Sequence, residues 1–220
     1  MLPFLNDLNG GMRGLTLAVL VPGLFLLGAC SPNPTVQGRK LSEWVKQLDD
    51  RDEATQESAL NVIKKLGAPS DKVEVYPHDV ERARGPLTRL ASDQSSSSSV
   101  RGKAATLRYG IFGITPANES VNDLFSLIGN KDYEYFWDAS AGRALASMRT
   151  IKDQILVRAA DKLQLHQDEL LGLEEIFAAF GDDALKVLEG IPVTPGDYTL
   201  NRDIEAAKKA AKCGKNIRYA

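Results

Sequence analysis

Histidine, cysteine and strand-forming runs are scarce in this chain. Its 220 residues include two histidines and two cysteines, and 27 lysines and arginines nearly balance 29 aspartates and glutamates. With so few imidazole and thiol groups, no cluster has the spacing of a metal site, so we expect neither a metal nor another cofactor. A net charge of −2 leaves no basic stripe, and nucleic-acid binding is therefore not expected.

Catalytic motifs are equally scarce. There is no nucleophile-elbow sequence and no glycine-rich loop in a context that would hold a phosphate. His78 and His166 lie in apparent loops, away from any partner motif. We therefore assign no catalytic residue and expect no enzymatic activity.

An apolar run between Leu15 and Ala29 dominates the beginning of the chain. It is too short to span a bilayer comfortably, it contains Pro22, and it ends in small residues, as a cleaved signal peptide does. The first eleven residues contain no lysine or arginine, whereas a chain beginning at Met12 would have a conventional basic start. Residues 1–29 are thus predicted to be a signal peptide, with Met12 as the suspected true start.

The end of this run, Leu27-Gly28-Ala29-Cys30, resembles the lipobox of bacterial lipoproteins. The resemblance implies that the Cys30 thiol receives a diacylglyceryl group and that the mature protein is held on a membrane by its acyl chains, palmitate among them. The protein would then belong to the cell envelope and face the periplasm or the exterior. Ser31 favours the outer membrane if the organism has two membranes. An ordinary secretory signal with a chance cysteine is the alternative.

Two features outside the apolar run concern the mature chain. Residues 30–40 contain two prolines and one glycine and are predicted to be a tether. Once Cys30 carries lipid, Cys213 has no partner, so no intrachain disulfide is expected. The lysines around Cys213 form a basic patch that indicates a solvated helix end, with contact to anionic lipid or glycan as the alternative.

From residue 41 onward the apolar residues recur at helical spacing. Leu41, Trp44, Val45 and Leu48 begin the pattern, with Ser42 as the predicted N-cap. The serine-rich residues 94–99 are expected to be a loop that cannot pack. The periodicity predicts four helix pairs, a short helix over 183–188 and a polar, alanine-rich last helix over about 201–212 that caps the end.

The spacing of these pairs indicates a repeat of about 32–46 residues. Leu41–Leu48, the Asp49-Asp50 turn and the helix end from Ala59 to Gly67 together look like a HEAT repeat, and Val100-Arg101-Gly102-Lys103-Ala104-Ala105 resembles the stretch that opens the second HEAT helix. The resemblance covers about residues 41–182. It implies an all-α fold, an α-α superhelix of about four helix pairs plus a C-terminal helix, with a repeat domain at 41–190 and a C-terminal extension and capping helix at 191–220. Di-iron enzymes with HEAT-like repeats use histidine-glutamate pairs, which this chain lacks.

Four aromatic residues within five positions are the strongest candidate for a contact surface: Tyr133, Tyr135, Phe136 and Trp137. Consecutive helical residues point about 100° apart, so the four rings cannot all face one core. At least one ring should be exposed and available to a partner, although inward packing of Phe136 and Trp137 with the tyrosines at the rim is an alternative.

These observations favour a lipid-anchored, extracytoplasmic helical scaffold that binds an unidentified protein through the face formed by the second helices. Two alternatives remain open. One is an enzyme or small-molecule binder, because lyases that handle bilins share HEAT-like repeats. The other is a structural spacer in envelope assembly. Oligomeric state is not predicted.

Overall fold

The computed structural model describes residues 33–67, 80–165, 171–193 and 195–214. Within these residues the chain forms ten α-helices, three 3-10 turns and one two-stranded ribbon, so the predicted all-α fold is confirmed. Cys30, His78 and His166 lie outside the described residues. The helices are α1 (Leu41–Gln47), α2 (Glu53–Gly67), α3 (Arg84–Ser92), α4 (Ser98–Phe112), α5 (Val121–Phe125), α6 (Tyr135–Ser147), α7 (Lys152–Gln164), α8 (Leu171–Phe180), α9 (Asp182–Glu189) and α10 (Tyr198–Cys213).

The helices pack as consecutive pairs: α1 on α2, α3 on α4, α5 on α6, α7 on α8 and α9 on α10. The second helices of the pairs also pack on one another in chain order, from α2 through α4, α6 and α8 to α10. Each pair has an apolar face that it could not cover alone, and this face is buried against the next pair. We call α2, α4, α6, α8 and α10 the second-helix row.

One continuous hydrophobic core runs through the pairs. Leu60, Leu87, Leu124, Leu145 and Phe177 come from five different helices, are fully buried and belong to the same cluster. Full burial of a side chain of this size stabilises a fold by about 1.5–3 kcal/mol. The apolar spacing predicted from the sequence is therefore the spacing of the core residues.

The C-terminal end differs from the prediction of four pairs and a single capping helix. The short helix expected over 183–188 is α9, and its Ala184 and Leu188 are buried. Because α9 packs on α10, these two helices form a fifth pair rather than an isolated cap. Asp197 is the N-cap residue of α10, and its carboxylate accepts a hydrogen bond from the Leu200 amide at 3.0 Å.

Part of the predicted tether is folded. Thr35–Val36 and Arg39–Lys40 pair as an antiparallel ribbon, and Gln37 and Gly38 make its turn with φ values of 52° and 78°. Two positive φ angles are what a tight hairpin turn requires. The Val36 carbonyl accepts a hydrogen bond from Trp44 Nε1 at 2.9 Å, which attaches the ribbon to α1. Residues 33–40 therefore belong to the folded unit.

The N-terminus of α1 also differs from the prediction. Ser42, expected to be the N-cap, lies inside the helix, and Lys40 occupies the N-cap position without a capping side chain. Asn33 supplies the missing acceptor, because its Oδ1 receives the Ser42 amide at 3.0 Å while its Nδ2 donates to Ser42 Oγ at 2.6 Å. A residue nine positions upstream thus caps the helix, which local sequence rules do not anticipate.

The serine-rich stretch is ordered structure rather than an unpacked loop. Ser97 is the N-cap of α4, and its hydroxyl accepts a hydrogen bond from the Val100 amide at 3.3 Å. Ser98 and Ser99 already belong to the helix, and their hydroxyls donate to Asp123 at 2.6 Å and to Glu57 at 3.1 Å. Residues 94–97 do form the expected loop, but the prediction that the stretch cannot pack is wrong at Ser98 and Ser99, because carboxylates from distant helices accept hydrogen bonds from their hydroxyls.

Candidate partner-binding site

The four aromatic residues singled out in the sequence lie at or just before the start of α6, and they differ in how far they are buried. Trp137 is buried, with 2% of its surface exposed, whereas Tyr135 is 64% exposed. Tyr133 and Phe136 are half-buried and pack against the core. Phe136 and Trp137 meet edge to face, with ring centroids 5.3 Å apart. The helical turn that buries Trp137 leaves Tyr135 facing solvent, as the 100° rotation per residue requires.

Two lysines that are almost buried converge on these rings. Lys64 on α2 is 8% exposed, and Lys103 on α4 is 3% exposed. Lys103 Nζ lies 4.3 Å from the centroid of the Tyr133 ring. Lys64 Nζ lies 5.2 Å from the centroid of Phe136 and 5.4 Å from that of Trp137. A cation over an aromatic face contributes about 0.5–2 kcal/mol, more when water is excluded.

Each ammonium group has a carboxylate partner. Lys103 Nζ donates to Glu57 Oε1 at 2.5 Å, and Glu57 also accepts a hydrogen bond from Ser99 Oγ. Lys64 Nζ is paired with Glu134, the residue that precedes Tyr135. We call Lys64, Lys103, Tyr133, Phe136 and Trp137 the aromatic–lysine cluster, and Glu57 and Glu134 its two carboxylates.

The two ends of the Lys64–Glu134 pair differ in their surroundings. The Lys64 side chain is almost covered, whereas the Glu134 side chain is 68% exposed. The hydrogen bond from Lys64 is the largest cause and lowers the pKa of Glu134; burial opposes it, and the charges of Lys64, Lys65 and Lys103 each lower the pKa by a smaller amount. Glu134 is therefore an ionised surface carboxylate held by a cation that is itself buried.

The cluster connects repeat units that are not adjacent in the chain. Lys64 belongs to the first helix pair and Glu134 precedes the second helix of the third pair, 70 residues away. Lys103 from the second pair lies between them, over Tyr133. In an ideal linear repeat each unit contacts only its neighbours. The start of α6 thus ties together three consecutive pairs along the second-helix row.

Two buried polar atoms on the same helices have no hydrogen-bond partner among the described residues. Asn61 Oδ1 lies on α2, three residues before Lys64, and Thr106 Oγ1 lies on α4, three residues after Lys103. Residues three apart share one face of a helix, so both atoms lie on the helix faces that carry the two lysines. A buried acceptor without a donor costs about 1–3 kcal/mol.

A second feature with the size of a binding site is a cleft of about 710 Å³ between the α1–α2 turn and the end of α3. Several of its charged groups have partners inside the cleft. Arg89 Nη2 donates to both carboxylate oxygens of Asp49, at 3.0 and 2.9 Å. Asp93 accepts hydrogen bonds from Ser95, which lower the pKa of Asp93. The cleft is lined largely by charged and serine side chains that bind one another, unlike the apolar pocket with a few convergent polar groups that small molecules favour.

The remaining candidates from the sequence are only partly described. Cys213 is exposed at the end of α10. Lys209 and Lys212 beside it are exposed as well, and Lys208 pairs with Glu205 at 3.0 Å. Cys30 lies outside the described residues, and its lipidation stays a prediction.

The sequence analysis missed Lys64 and Lys103. A signal was available for Lys103, because it falls between Val100 and Leu107 at the apolar spacing of α4. A lysine on an apolar stripe must either reach water or find a carboxylate and rings to cover it. The sequence does not reveal that Glu57 and Tyr133 provide that cover, since they are remote in the chain.

Comparisons with protein-family models, with curated proteins and with solved structures find no match for this chain. None of the helices in the described residues is both long and apolar enough to cross a bilayer. Across the described ranges, no three histidine, cysteine, aspartate or glutamate side chains come together as a possible metal site. The aromatic–lysine cluster with the exposed Tyr135 is thus the arrangement on which a functional proposal can be based.

Proposed function

We propose that this protein is a lipid-anchored, extracytoplasmic helical scaffold that binds another protein through the second-helix row, around the start of α6. The observation that carries the proposal is the exposure of Tyr135 immediately beside half-buried rings. Exposed tyrosines next to buried aromatic residues are typical of the centre of a protein–protein contact, because they add a large contact area with few rotatable bonds.

The rigidity of this surface supports the same proposal. The ring of Trp137 is fixed in the core, and two cations and two carboxylates from α2, α4 and the start of α6 surround it. A surface held in one arrangement before binding loses less conformational entropy when a partner arrives. The resemblance of residues 41–182 to HEAT repeats is in accord with a binding role by analogy only, because a fold does not determine a function.

Site-specific crosslinking tests the contact surface. A photoreactive phenylalanine analogue would replace Tyr135 in the full chain, in its native host, and the matched control would replace Tyr198, an 84% exposed tyrosine on α10. We expect a discrete crosslinked protein at position 135 and none at position 198, and we expect Tyr135→Ala to weaken recovery of that protein about tenfold or more, as for a central contact residue. Equal crosslinking at both positions would remove the start of α6 as the binding surface.

The membrane anchor is tested independently. Cys30 follows the lipobox-like residues, and acylation of its thiol would bring the protein into the membrane fraction. We expect a clickable palmitate analogue to label the wild-type protein and not Cys30→Ser, and we expect the serine variant to leave the membrane fraction. Cys213→Ser is the matched control, because it removes the other thiol of the chain and should leave labelling unchanged. Persistent labelling of Cys30→Ser would contradict the anchor.

A further inference from the structure

We propose that the partner presents an acidic segment to the aromatic–lysine cluster, and that one carboxylate of this segment takes the place of Glu134 beside Lys64. The inference rests on the proposed function and specifies the chemistry of the partner at that surface. Three observations support it: the asymmetry of the Lys64–Glu134 pair, the additional positive charge beside it and the exposed ring of Tyr135 next to it.

The asymmetry of the pair makes an exchange of carboxylates feasible. Lys64 is almost buried, and a buried ammonium without a counter-ion is strongly unfavourable, so a carboxylate must always be within reach. Glu134, however, is mostly in solvent and makes no helix-capping hydrogen bond, although it stands at the N-cap position of α6. Glu134 can therefore rotate into water at little cost when another carboxylate arrives, whereas Lys64 cannot leave.

The charges around the Lys64–Glu134 pair favour the binding of an acidic segment. Lys64, Lys65 and Lys103 all act on Glu134, and only Glu57 and Glu134 oppose them among the groups that form the two ion pairs. The charges within each of the two ion pairs balance, and Lys65 adds a further positive charge that acts on Glu134, on a chain that is acidic as a whole. Such a patch attracts acidic segments and repels basic ones, and it affects association most at low ionic strength.

The groups around the pair suit a peptide rather than an isolated ion. Tyr135, adjacent to Glu134, has an exposed ring against which a side chain of the partner's acidic segment can pack. A peptide carries further side chains beside each acidic residue, so it can cover this ring while one of its carboxylates reaches Lys64, which an isolated carboxylate ion cannot do.

The test uses the fluorescence of Trp137, which lies under Lys64. Trp44 is the other tryptophan of the chain, so a Trp44→Phe background leaves Trp137 as the sole reporter. The probe is an acetylated octaglutamate peptide at low ionic strength, and an octalysine peptide serves as the control for charge. We expect saturable binding of octaglutamate and none of octalysine. Glu134→Gln should bind octaglutamate about three- to fivefold more tightly, because the internal competitor for Lys64 is gone.

Two further variants control this result. Asp132→Asn removes an exposed negative charge close to Glu134 without touching the ion pair, and we expect it to change the affinity less than twofold. Lys65→Gln removes an exposed member of the positive patch and should weaken binding about two- to threefold, which tests the inference even if Glu134→Gln unfolds. Cooperative thermal unfolding of each variant establishes that it is folded.

The outcomes separate this inference from the proposed function. An equal gain in affinity for Glu134→Gln and Asp132→Asn would mean that octaglutamate senses net charge only, and equal affinities of both variants and wild type would mean that Glu134 does not compete for Lys64. Either result would refute the exchange at Lys64. Absence of octaglutamate binding in wild type, in Glu134→Gln and in Asp132→Asn would refute it as well. If crosslinking at position 135 still yielded a discrete partner in that case, the scaffold function would stand and the acidic segment would not.

Discussion

Replacing Asp123 with alanine is expected to lower the free energy of unfolding by about 3 kcal/mol. Asp123 lies on α5 and forms a two-pronged ion pair with Arg101 on α4: Arg101 Nε donates to Oδ2 at 2.8 Å, and Arg101 Nη2 donates to Oδ1 at 2.7 Å. Ser98 Oγ adds a third hydrogen bond at 2.6 Å. This group fixes the second helix pair to the first helix of the third pair.

The expected loss is large because the ion pair is enclosed. The side chains of Arg101 and Asp123 are 14% and 7% exposed. The hydrogen bonds that Arg101 donates to Asp123 raise the pKa of Arg101. Without Asp123 the guanidinium still stays charged, because an arginine side chain is protonated at neutral pH whether or not it has a partner. Removing Asp123 therefore leaves a mostly enclosed charge without its carboxylate, although Arg101 Nη1 still donates to the Ser96 carbonyl, and this costs more than the loss of one hydrogen bond.

Urea unfolding followed by far-ultraviolet circular dichroism provides the measurement, and Asp49→Ala is the matched control. Asp49 also accepts two hydrogen bonds from an arginine, Arg89, but both of those side chains are more than half exposed. Exposed pairs of this kind contribute about 0–1 kcal/mol. Equal losses for Asp123→Ala and Asp49→Ala would show that enclosure of the Arg101 pair has no energetic consequence.

Replacing Gly142 with alanine is the second change with a large expected effect, again a loss of about 3 kcal/mol. Gly142 lies on α6 where α6 crosses α8. A Cβ atom at this position would lie 2.2 Å from the Gly172 carbonyl oxygen and 2.6 Å from the Gly172 Cα. Because those atoms belong to backbone, the two helices must move apart to admit even one methyl group.

The contact at Gly142 is tight for a reason that involves Asp138. The buried Asp138 carboxylate, one turn earlier on α6, accepts the Gly172 amide at 2.8 Å near the start of α8. Separating the helices to relieve the clash would stretch this hydrogen bond, which pairs a charged acceptor with a buried amide. The packing of the third pair against the fourth therefore resists adjustment.

Gly110→Ala is the matched control for Gly142→Ala. Both glycines are inside helices of the second-helix row, and a Cβ at Gly110 would meet no atom within 4 Å. Alanine also favours the helix, so Gly110→Ala should stabilise the protein by about 0.4–1 kcal/mol. A stabilising or neutral effect of Gly142→Ala in the same denaturation experiment would contradict the close approach of α6 and α8.

The sequence predicted the positions of most helices but not the side chains that cap and anchor their N-termini. Apolar spacing identified the residues that form the core, since a helix buries residues three and four apart whatever it packs against. The cap of α1 comes from Asn33, and the hydroxyls of Ser98 and Ser99 bind carboxylates on other helices. Those partners are 9 to 42 residues away, beyond any local rule.

In the candidate site, too, local helix geometry was predictable and contacts between remote residues were not. Rotation along a helix was enough to predict that at least one of the four aromatic residues would be exposed, and Tyr135 is exposed. The two lysines that complete the site were not predicted. Lys64 and Lys103 approach the rings only because α2, α4 and α6 lie side by side in the second-helix row.

The sequence by itself determined that this protein is all-α and built from consecutive helix pairs, because hydrophobic periodicity is a local property that each segment carries with it. Only the tertiary structure decided which charges meet, as with Lys64 and Glu134 across 70 residues, and which glycines are indispensable, as with Gly142 but not Gly110. The physical reason is that ion pairs and close contacts depend on distances between helices, and packing of the whole chain sets those distances.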